Sequence, residues 1–199
     1  MLLWTKKDET KKQRGNGMLY IIRHGKTDWN VQHKLQGRTD IPLNEEGRQM
    51  AAEAGERYRE ISFDICYCSP LIRARETAEI LLKDRGIPII LDDRLQEMGF
   101  GTWEGYENVF ENPDCPMYTL FKDPPHYAAP EGAEGLDELF ARTGSFLKEV
   151  VEPALQEGKK LLIVGHGAMN SSIVCQIRNL PIGEFWSAGI ENCKLMRLI

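Results

Sequence analysis

The amino-acid sequence predicts an α/β domain, built as a three-layer αβα sandwich with a mostly parallel central sheet. Short apolar, β-branched or alternating runs are separated along the chain by longer segments in which apolar residues recur with helical spacing. Of the 199 residues, 42% are hydrophobic and 28% are charged, so one domain can bury a core. Strands that alternate with helices form largely parallel sheets that helices cover on both faces.

The strand-like and helix-like segments follow one another along the chain. The predicted strands are residues 19–22, 63–68, 87–91, 161–164 and 193–199, and the predicted helices are residues 44–58, 70–83, 136–155 and 169–178. Asn44 suits the start of the first helix, and Ser69 as N-cap with Pro70 in the first turn suits the start of the second. The second helix also carries an apolar stripe that predicts a core-facing side: Leu71, Ala74, Ala78, Leu81 and Leu82.

Two segments lie outside this alternation. Between Lys6 and Arg14 there are five basic and two acidic residues without apolar periodicity. We interpret residues 1–17 as a flexible extension, a cloning remnant or the product of an early start codon, with Met18 beginning a domain over 18–199. Residues 101–130 fit no regular element and include five prolines. So long an irregular segment is usually functional, and we interpret it as a lid, inserted at about 105–132.

Charge, hydropathy and cysteine usage argue against several classes of protein. The net charge is −5 and the one basic cluster is N-terminal, which argues against nucleic acid as a partner. No run approaches ~18 apolar residues, so no membrane span is expected. Five cysteines without a secretory signal predict free thiols in a cytoplasmic protein. Cys66 and Cys68 lack the second ligand pair of a zinc site, so we interpret them as buried apolar residues.

The carboxyl ends of the predicted strands carry the side chains expected to do chemistry. Ligands of open α/β sheets bind beyond these ends. The strand at 19–22 leads into Arg23, His24 and a glycine, and the strand at 161–164 leads to His166, again followed by a glycine. The strand at 63–68 leads to Arg73 and Arg75. Two of the four histidines thus converge on one edge of the sheet.

Histidines and arginines together fit a phosphoryl group better than a metal ion. Neighbouring arginines oppose the binding of a cation, whereas a guanidinium group matches phosphoryl oxygens in bidentate geometry. Positive surroundings disfavour the cationic form of an imidazole, and a neutral imidazole can act as a nucleophile. A glutamate can then protonate the leaving oxygen. The residues alone leave open whether Arg73 or Arg75, and Glu97 or Glu104, take part.

Five blocks of sequence carry a resemblance to a known family. They are IRHGKTDWN at residues 22–30, QGRTDIPL at 36–43, CSPLIRARETA at 68–78, LQEMGFGTWEG at 95–105 and VGHG at 164–167. In content and order these blocks resemble the histidine phosphatase superfamily, also called the phosphoglycerate mutase-like family. The resemblance covers residues 19–199 and implies the phosphoglycerate mutase-like fold.

The resemblance also implies a phosphohistidine mechanism and assigns roles within it. His24 would be the nucleophile, Glu97 the general acid and then base, and the phosphoryl oxygens would be held by Arg23, Arg73 and His166. Asn30, Gln36, Gly37 and the Gly167 backbone would line the phosphate pocket. Neither a metal ion nor another cofactor is implied. Arg75 is then expected in a surface ion pair and Glu104 as an exposed loop carboxylate. Lys26, His33 and His126 are expected to be solvated or loop residues, and Trp29 and Trp103 to wall the site.

The expected function is hydrolysis of a small phosphorylated metabolite by a phosphoric monoester hydrolase. A cofactor-dependent phosphoglycerate mutase is the alternative, and a non-catalytic phospho-ligand binding module is a second one. Against a mutase, residues 105–130 carry one basic residue, Lys122, and four acidic ones, and they are shorter than the insertion of the mutases. The Gly167-Ala168 pair also departs from the Gly-Asn usual in mutases. Against a binding module, all five catalytic candidates are present. The sequence leaves the natural substrate and the oligomeric state open.

Aromatic residues of the predicted lid suggest a further hypothesis about the substrate. These residues are Tyr106, Phe110, Tyr118, Phe121 and Tyr127. They could select a leaving group that is bulkier and less anionic than phosphoglycerate. They could equally form a small satellite core beneath the segment.

Overall fold

A computed structural model of the protein describes residues 17–199, and nearly all of the proposed N-terminal extension, residues 1–16, lies outside them. The described residues form a five-stranded sheet with strands β1 (Met18–Arg23), β2 (Ile65–Cys68), β3 (Ile89–Leu91), β4 (Lys160–Gly165) and β5 (Met196–Arg197). The strand order is β3-β2-β4-β1-β5. All neighbours are parallel except β1 and β5, so the predicted mostly parallel sheet is confirmed.

Helices cover both faces of the sheet, as the alternating pattern predicts. They are α1 (Asp28–Val31), α2 (Glu45–Arg57), α3 (Ile72–Leu81), α4 (Tyr118–Lys122), α5 (Leu136–Phe146), α6 (Glu152–Gln156) and α7 (Gly167–Arg178). Side chains of β1 alternate between two cores: Tyr20 and Ile22 pack with α2 and α3, whereas Leu19 and Ile21 pack with α5 and α7. The three-layer sandwich is thus confirmed, and the apolar stripe predicted for α3 is buried.

Several predicted boundaries differ from those of the structure. The second predicted helix begins at Ile72 with Leu71 as N-cap, so the prediction of Ser69 as N-cap and of Pro70 in the first turn is wrong. Helix α5 continues through a π-helical turn, Leu147–Val151, into α6. Of the last predicted strand, residues 193–199, only Met196–Arg197 form a regular strand, although Cys193, Leu198 and Ile199 also hydrogen-bond to the backbone of β1.

The segment predicted as irregular contains short helices. Beside α4, 3-10 turns form at Gly101–Trp103 and Pro124–His126. All five cysteines are unpaired, as predicted. Cys66 and Cys68 are buried as predicted, and the other three are buried as well. Among the helices of residues 17–199, none is both long and apolar enough to cross a membrane.

Candidate active site

A cavity of about 390 Å³ opens beyond the carboxyl ends of the parallel strands, where the sequence predicts the site. Strand β1 ends at Arg23 and β4 ends at Gly165, so both strands lead directly into a histidine. Polar and charged lining residues are Arg23, His24, Lys26, Asn30, His33, Lys34, Gln36, Arg73, Glu97 and Asn192. The remaining lining residues are Trp29, Leu35, Gly37, Phe100, Phe110, Phe121, Gly167, Ala168 and Trp186.

The two histidines that are each followed by a glycine, His24 and His166, lie side by side. The ring centroids of His24 and His166 are 5.2 Å apart, and the rings are inclined at 57°. Both side chains are buried, at 3% and 0% exposure. The sheet therefore brings together two imidazoles that are 142 positions apart in the sequence, because β1 and β4 are adjacent and parallel.

Hydrogen bonding fixes the tautomer of His24. Its Nδ1 lies 2.6 Å from the carbonyl oxygen of Gly25, and a carbonyl can only accept, so Nδ1 carries the proton. Nε2 consequently keeps its lone pair. Two side chains that are distant in the sequence hold the backbone that carries this ring: Asn192 Nδ2 donates to the His24 carbonyl at 2.6 Å, and the Gly25 N–H donates to Thr77 Oγ1 at 3.0 Å.

His166 is oriented by Ser69. Its Nε2 lies 2.7 Å from Ser69 Oγ, which also accepts the Leu71 N–H at 3.3 Å. The second ring nitrogen, Nδ1, is buried and has no partner in the part of the chain that the structure describes. A serine hydroxyl that donates to Nε2 leaves the proton on Nδ1. His166 is fully buried and, unlike His24, is not among the residues that line the cavity. The hydroxyl of Ser69 therefore binds the imidazole of His166 instead of capping α3.

Two guanidinium groups, one buried and one partly buried, flank the imidazoles. Arg73 is fully buried and donates to the carbonyl oxygens of Thr39 at 2.9 Å and Gly37 at 2.6 Å. Arg23 donates to the Ile190 carbonyl at 3.2 Å. In each of the two arginines Nε is buried and has no hydrogen-bond partner among residues 17–199. Burial lowers the pKa of Arg73 to about 10, so this group stays charged at neutral pH.

Glu97 reaches the cavity at the N-terminus of α7. Its Oε1 accepts the Met98 and Met169 N–H groups, both at 2.9 Å, and its Oε2 accepts the Ala168 N–H at 3.2 Å. A carboxylate is favoured at a helix N-terminus because the first N–H groups lack intrahelical partners. Oε1 is therefore doubly engaged, and Oε2 retains acceptor capacity toward the cavity.

The residues predicted to line the phosphate pocket are at the cavity wall. Asn30 Oδ1 accepts the Thr27 N–H at 3.1 Å in a capping box at the start of α1. Gln36 Oε1 accepts the Thr27 hydroxyl at 2.9 Å. Both amide oxygens are thus engaged, and both NH₂ groups remain as donors. Gly37 contributes the carbonyl that Arg73 binds, and Gly167 lies next to Arg23 and Glu97.

Burial keeps both imidazoles neutral. Desolvation, followed by the positive charge of Arg73, holds the pKa values of His24 and His166 well below the usual 6.5. Arg23 lowers the pKa of both rings further, and the hydrogen bond to Gly25 opposes the shift at His24. A neutral His24 with a free Nε2 is a competent nucleophile at physiological pH.

These shifts predict a loss of stability in mild acid. The unfolded chain binds protons on both histidines near pH 6.5, whereas the folded chain does not, so the free energy of unfolding decreases as pH falls below that value. Between about pH 6.5 and 5.5 we expect a loss of roughly 2 kcal/mol from the two rings. Urea unfolding at these pH values measures it. His24→Asn should remove about half of the difference, and an unchanged difference would contradict the assignment.

Comparison with known proteins identifies the family. The model of the histidine phosphatase superfamily (branch 1) matches residues 19–199. The chain belongs to this superfamily. Among relatives, the "Uncharacterized phosphatase PhoE" of Bacillus subtilis is 39% identical over 79% of this chain and 75% of its own length. The "Probable phosphoglycerate mutase GpmB" of Salmonella choleraesuis is 32% identical over 90% of this chain and 83% of its own.

Solved structures agree with the fold of this histidine phosphatase superfamily member. Bacillus stearothermophilus YhfR has a TM-score of 0.82 and 32% identity over 91% of this chain and 90% of its own. The alpha-ribazole phosphatase of Shigella flexneri has a TM-score of 0.79 and 27% identity, over 90% of this chain and 89% of its own. The phosphoglycerate mutase-like fold predicted from the sequence blocks is therefore confirmed.

Three expectations about neighbouring residues are wrong. Glu104 is not an exposed loop carboxylate: it accepts the N–H groups of Arg38 at 2.9 Å and Thr39 at 2.8 Å and so shapes the loop beneath Arg73. Arg75 forms no ion pair with the described residues, and its Nε is buried. Lys26 is not merely solvated, since its Nζ is 2.5 Å from Glu46.

Other loop and aromatic residues lie partly where the sequence predicts. His126 is exposed, whereas His33 lines the cavity, as does Trp29. Trp103 packs on the core and against Tyr106 instead of lining the cavity.

Some residues of this histidine phosphatase site have no local sequence signal. Trp186 lines the cavity and Asn192 holds the His24 carbonyl, yet both come from the irregular chain between α7 and β5. Ser69 and Thr77 belong to the CSPLIRARETA block, which could have marked them. Trp186 and Asn192 are brought to the site only by the fold.

Proposed function

We propose that this chain is a phosphatase that hydrolyses small phosphomonoesters through a phosphohistidine intermediate on His24. The observation that carries this proposal is the pair of neutral, buried imidazoles 5.2 Å apart, of which His24 presents a free Nε2 beside two guanidinium groups. Related proteins named as phosphatases support it.

In the first step, Nε2 of His24 forms a bond to phosphorus while the bond from phosphorus to the ester oxygen breaks. Glu97 enters this step protonated and donates that proton to the leaving oxygen. Oε2 is the oxygen suited to carry the proton, because Oε1 accepts two N–H groups. Arg23, Arg73 and His166 Nδ1–H stabilise the charge on the three other phosphoryl oxygens, which is where phosphoryl transfer gains most of its rate.

In the second step, water attacks phosphorus and the bond from phosphorus to Nε2 breaks. Glu97, now a carboxylate, takes a proton from this water, and inorganic phosphate leaves. His24 and Glu97 return to their starting protonation states. The guanidinium groups supply the positive charge that a metal ion supplies in other phosphatases.

A mutase would have to retain a doubly phosphorylated intermediate, which extra cations in the covering segment would favour. Residues 105–132 contribute Phe110 and Phe121 to the cavity wall, and Lys122, their single basic residue, is exposed. This favours hydrolysis, although a relative of this chain is named a probable mutase.

Phosphate release from a panel of esters tests the proposal. Purified protein in excess chelator should release phosphate from p-nitrophenyl phosphate and from 1-naphthyl phosphate. Faster conversion of 3-phosphoglycerate to 2-phosphoglycerate than release of phosphate would overturn it in favour of a mutase. Phosphate-ester binding without turnover would indicate a non-catalytic binding module.

We further propose that the leaving group packs against an aromatic wall. Five aromatic rings line the cavity: Trp29, Phe100, Phe110, Phe121 and Trp186. Phe121 stacks on Trp186 with centroids 5.3 Å apart and an interplanar angle of 18°. Of the five aromatic residues in the predicted lid, only Phe110 and Phe121 line the cavity, and Tyr127 packs on the core instead. Phe110 and Phe121 also pack on the core, so selection of the leaving group stays a proposal for these two rings alone.

Phe121→Ala is expected to reduce kcat/KM for 1-naphthyl phosphate about fivefold more than for O-phosphoserine, because a lost aromatic contact costs ~1 kcal/mol. Tyr118→Ala on the same helix α4 is the matched control, since Tyr118 does not line the cavity and lies against Lys122. Equal losses on the two esters in Phe121→Ala would contradict the aromatic wall.

A further inference from the structure

Arg142 binds the backbone on which Glu97 is carried. From α5, its Nη1 donates to the carbonyl oxygens of Arg94 at 2.6 Å and Gln96 at 2.8 Å, and its Nη2 donates to the carbonyl oxygen of Glu97 at 3.2 Å. One guanidinium group therefore contacts three carbonyls within four consecutive residues. The side chain of Arg142 does not line the cavity.

Glu134 holds this guanidinium group from the other side. Its Oε1 accepts Arg142 Nε at 2.6 Å, and its Oε2 accepts Arg142 Nη2 at 3.0 Å, in a bidentate ion pair. The Glu134 side chain is 8% exposed and that of Arg142 is 16% exposed. Glu134 also pairs with the Gly99 backbone, because its Oε2 accepts the Gly99 N–H at 3.1 Å and its own N–H donates to the Gly99 carbonyl at 2.8 Å.

Glu97 needs such support because it belongs to no regular element. It lies between the 3-10 turns Asp93–Leu95 and Gly101–Trp103, so neither a helix nor a sheet ladder fixes its backbone. Its carboxyl group is fixed by three N–H donors, but two of these belong to α7, a separate element. Arg142 and Glu134 thus fix residues 94–99 on both sides of Glu97.

We infer that Arg142 and Glu134 are positioning residues that hold Glu97 where it protonates the leaving oxygen. The inference rests on the proposed function and adds to it a specific source of preorganisation. Burying an ion pair costs desolvation energy, and apolar replacements are often as stable. Three directed hydrogen bonds to the segment that carries Glu97 give this pair a role besides stability. A displacement of about 1 Å at a reacting group can lower a rate by about 100-fold.

The dependence of rate on the leaving group distinguishes positioning from folding. The leaving p-nitrophenolate is stable without a proton at neutral pH, whereas phenolate needs one, so only the latter depends strongly on a general acid. In Arg142→Lys, kcat/KM for phenyl phosphate is expected to fall about 10–100-fold, and kcat/KM for p-nitrophenyl phosphate less than about threefold. Loss of folded protein would lower both by the same factor, so the ratio between the two esters isolates the effect on Glu97.

A second variant separates a loss of positioning from a defect in folding. Glu134→Gln combined with Arg142→Gln leaves no unpaired buried charge and should show the same change in ratio. Arg94→Gln is the matched control, because Arg94 ties the same segment to Asp92 and Glu149 but donates to none of the carbonyls from Gln96 to Gly99. Its ratio between the two esters should equal that of the wild type.

The outcomes separate the inference from the function on which it rests. Absence of turnover in the wild type, or an unchanged ratio in Glu97→Gln, would refute the proposed role of Glu97. A changed ratio in Glu97→Gln with unchanged ratios in Arg142→Lys and in the double variant would refute the positioning role alone. A changed ratio in all three variants supports both.

Discussion

His24→Ala is expected to lower kcat/KM for p-nitrophenyl phosphate by at least about 10⁴-fold, the scale on which removal of an enzyme nucleophile is measured. The reason is geometric. Nδ1 of His24 is committed to the Gly25 carbonyl, so Nε2 keeps its lone pair, and His24 lines the cavity together with Arg23 and Arg73. His166 cannot substitute for it, because its Nε2 is engaged by Ser69 Oγ at 2.7 Å. Steady-state kinetics of the wild type and of His24→Ala measures the loss of kcat/KM.

His126→Ala is the control for this variant, since the His126 side chain is 78% exposed and does not line the cavity. It should retain wild-type kinetics. A rapid-quench experiment with ³²P-labelled ester provides a second readout. The wild type should trap a phosphoenzyme that is stable in alkali and labile in acid, as a phosphorus–nitrogen bond requires, and His24→Ala should trap none. Surviving activity or an acid-stable phosphoenzyme would place the nucleophile elsewhere.

The layers of the fold could be predicted because each follows from a local pattern. Leu19–Ile22 and Leu161–Val164 are short apolar runs bounded by turns, and both become central strands buried on two faces. Boundaries were predicted less well where a side chain has a partner that is distant in the sequence. Ser69 has the chemistry of an N-cap, but its hydroxyl binds His166, which is 97 residues away.

The same distinction applies to the candidate site: residues with a local sequence signal could be predicted, and residues placed by distant contacts could not. His24 and His166 were found because each directly follows a strand, and the geometry of parallel sheets makes such ends converge. The choice of Arg73 over Arg75 needed the family pattern, because both residues lie near the start of α3, the helix that follows strand β2. Arg142 and Trp186 could not be found at all. Arg142 binds the Glu97 carbonyl from α5, Trp186 reaches the cavity from the chain after α7, and only tertiary packing specifies those contacts.

Arg73→Lys is expected to reduce kcat/KM by about 100–1,000-fold, comparable to removal of a main oxyanion donor. Lysine keeps the positive charge but loses the planar fork, and its ammonium cannot serve both the Gly37 and Thr39 carbonyls and a phosphoryl oxygen. Since the fork also shapes the loop from Gln36 to Asp40, part of the loss should appear as weaker phosphate binding. The inhibition constant of inorganic phosphate, measured beside kcat, separates the two contributions.

Arg75→Lys provides the matched comparison for this prediction. Arg75 lies two residues further along α3, so its side chain projects from a different face of the helix, and it does not line the cavity. The same substitution there should change kcat/KM by less than about threefold, as for a residue with no catalytic contact. If Arg75→Lys were the more damaging of the two, the phosphoryl oxygens would be held by the other arginine. The loop contacts of Arg73 would then be structural, and the choice between these two arginines would have to be reversed.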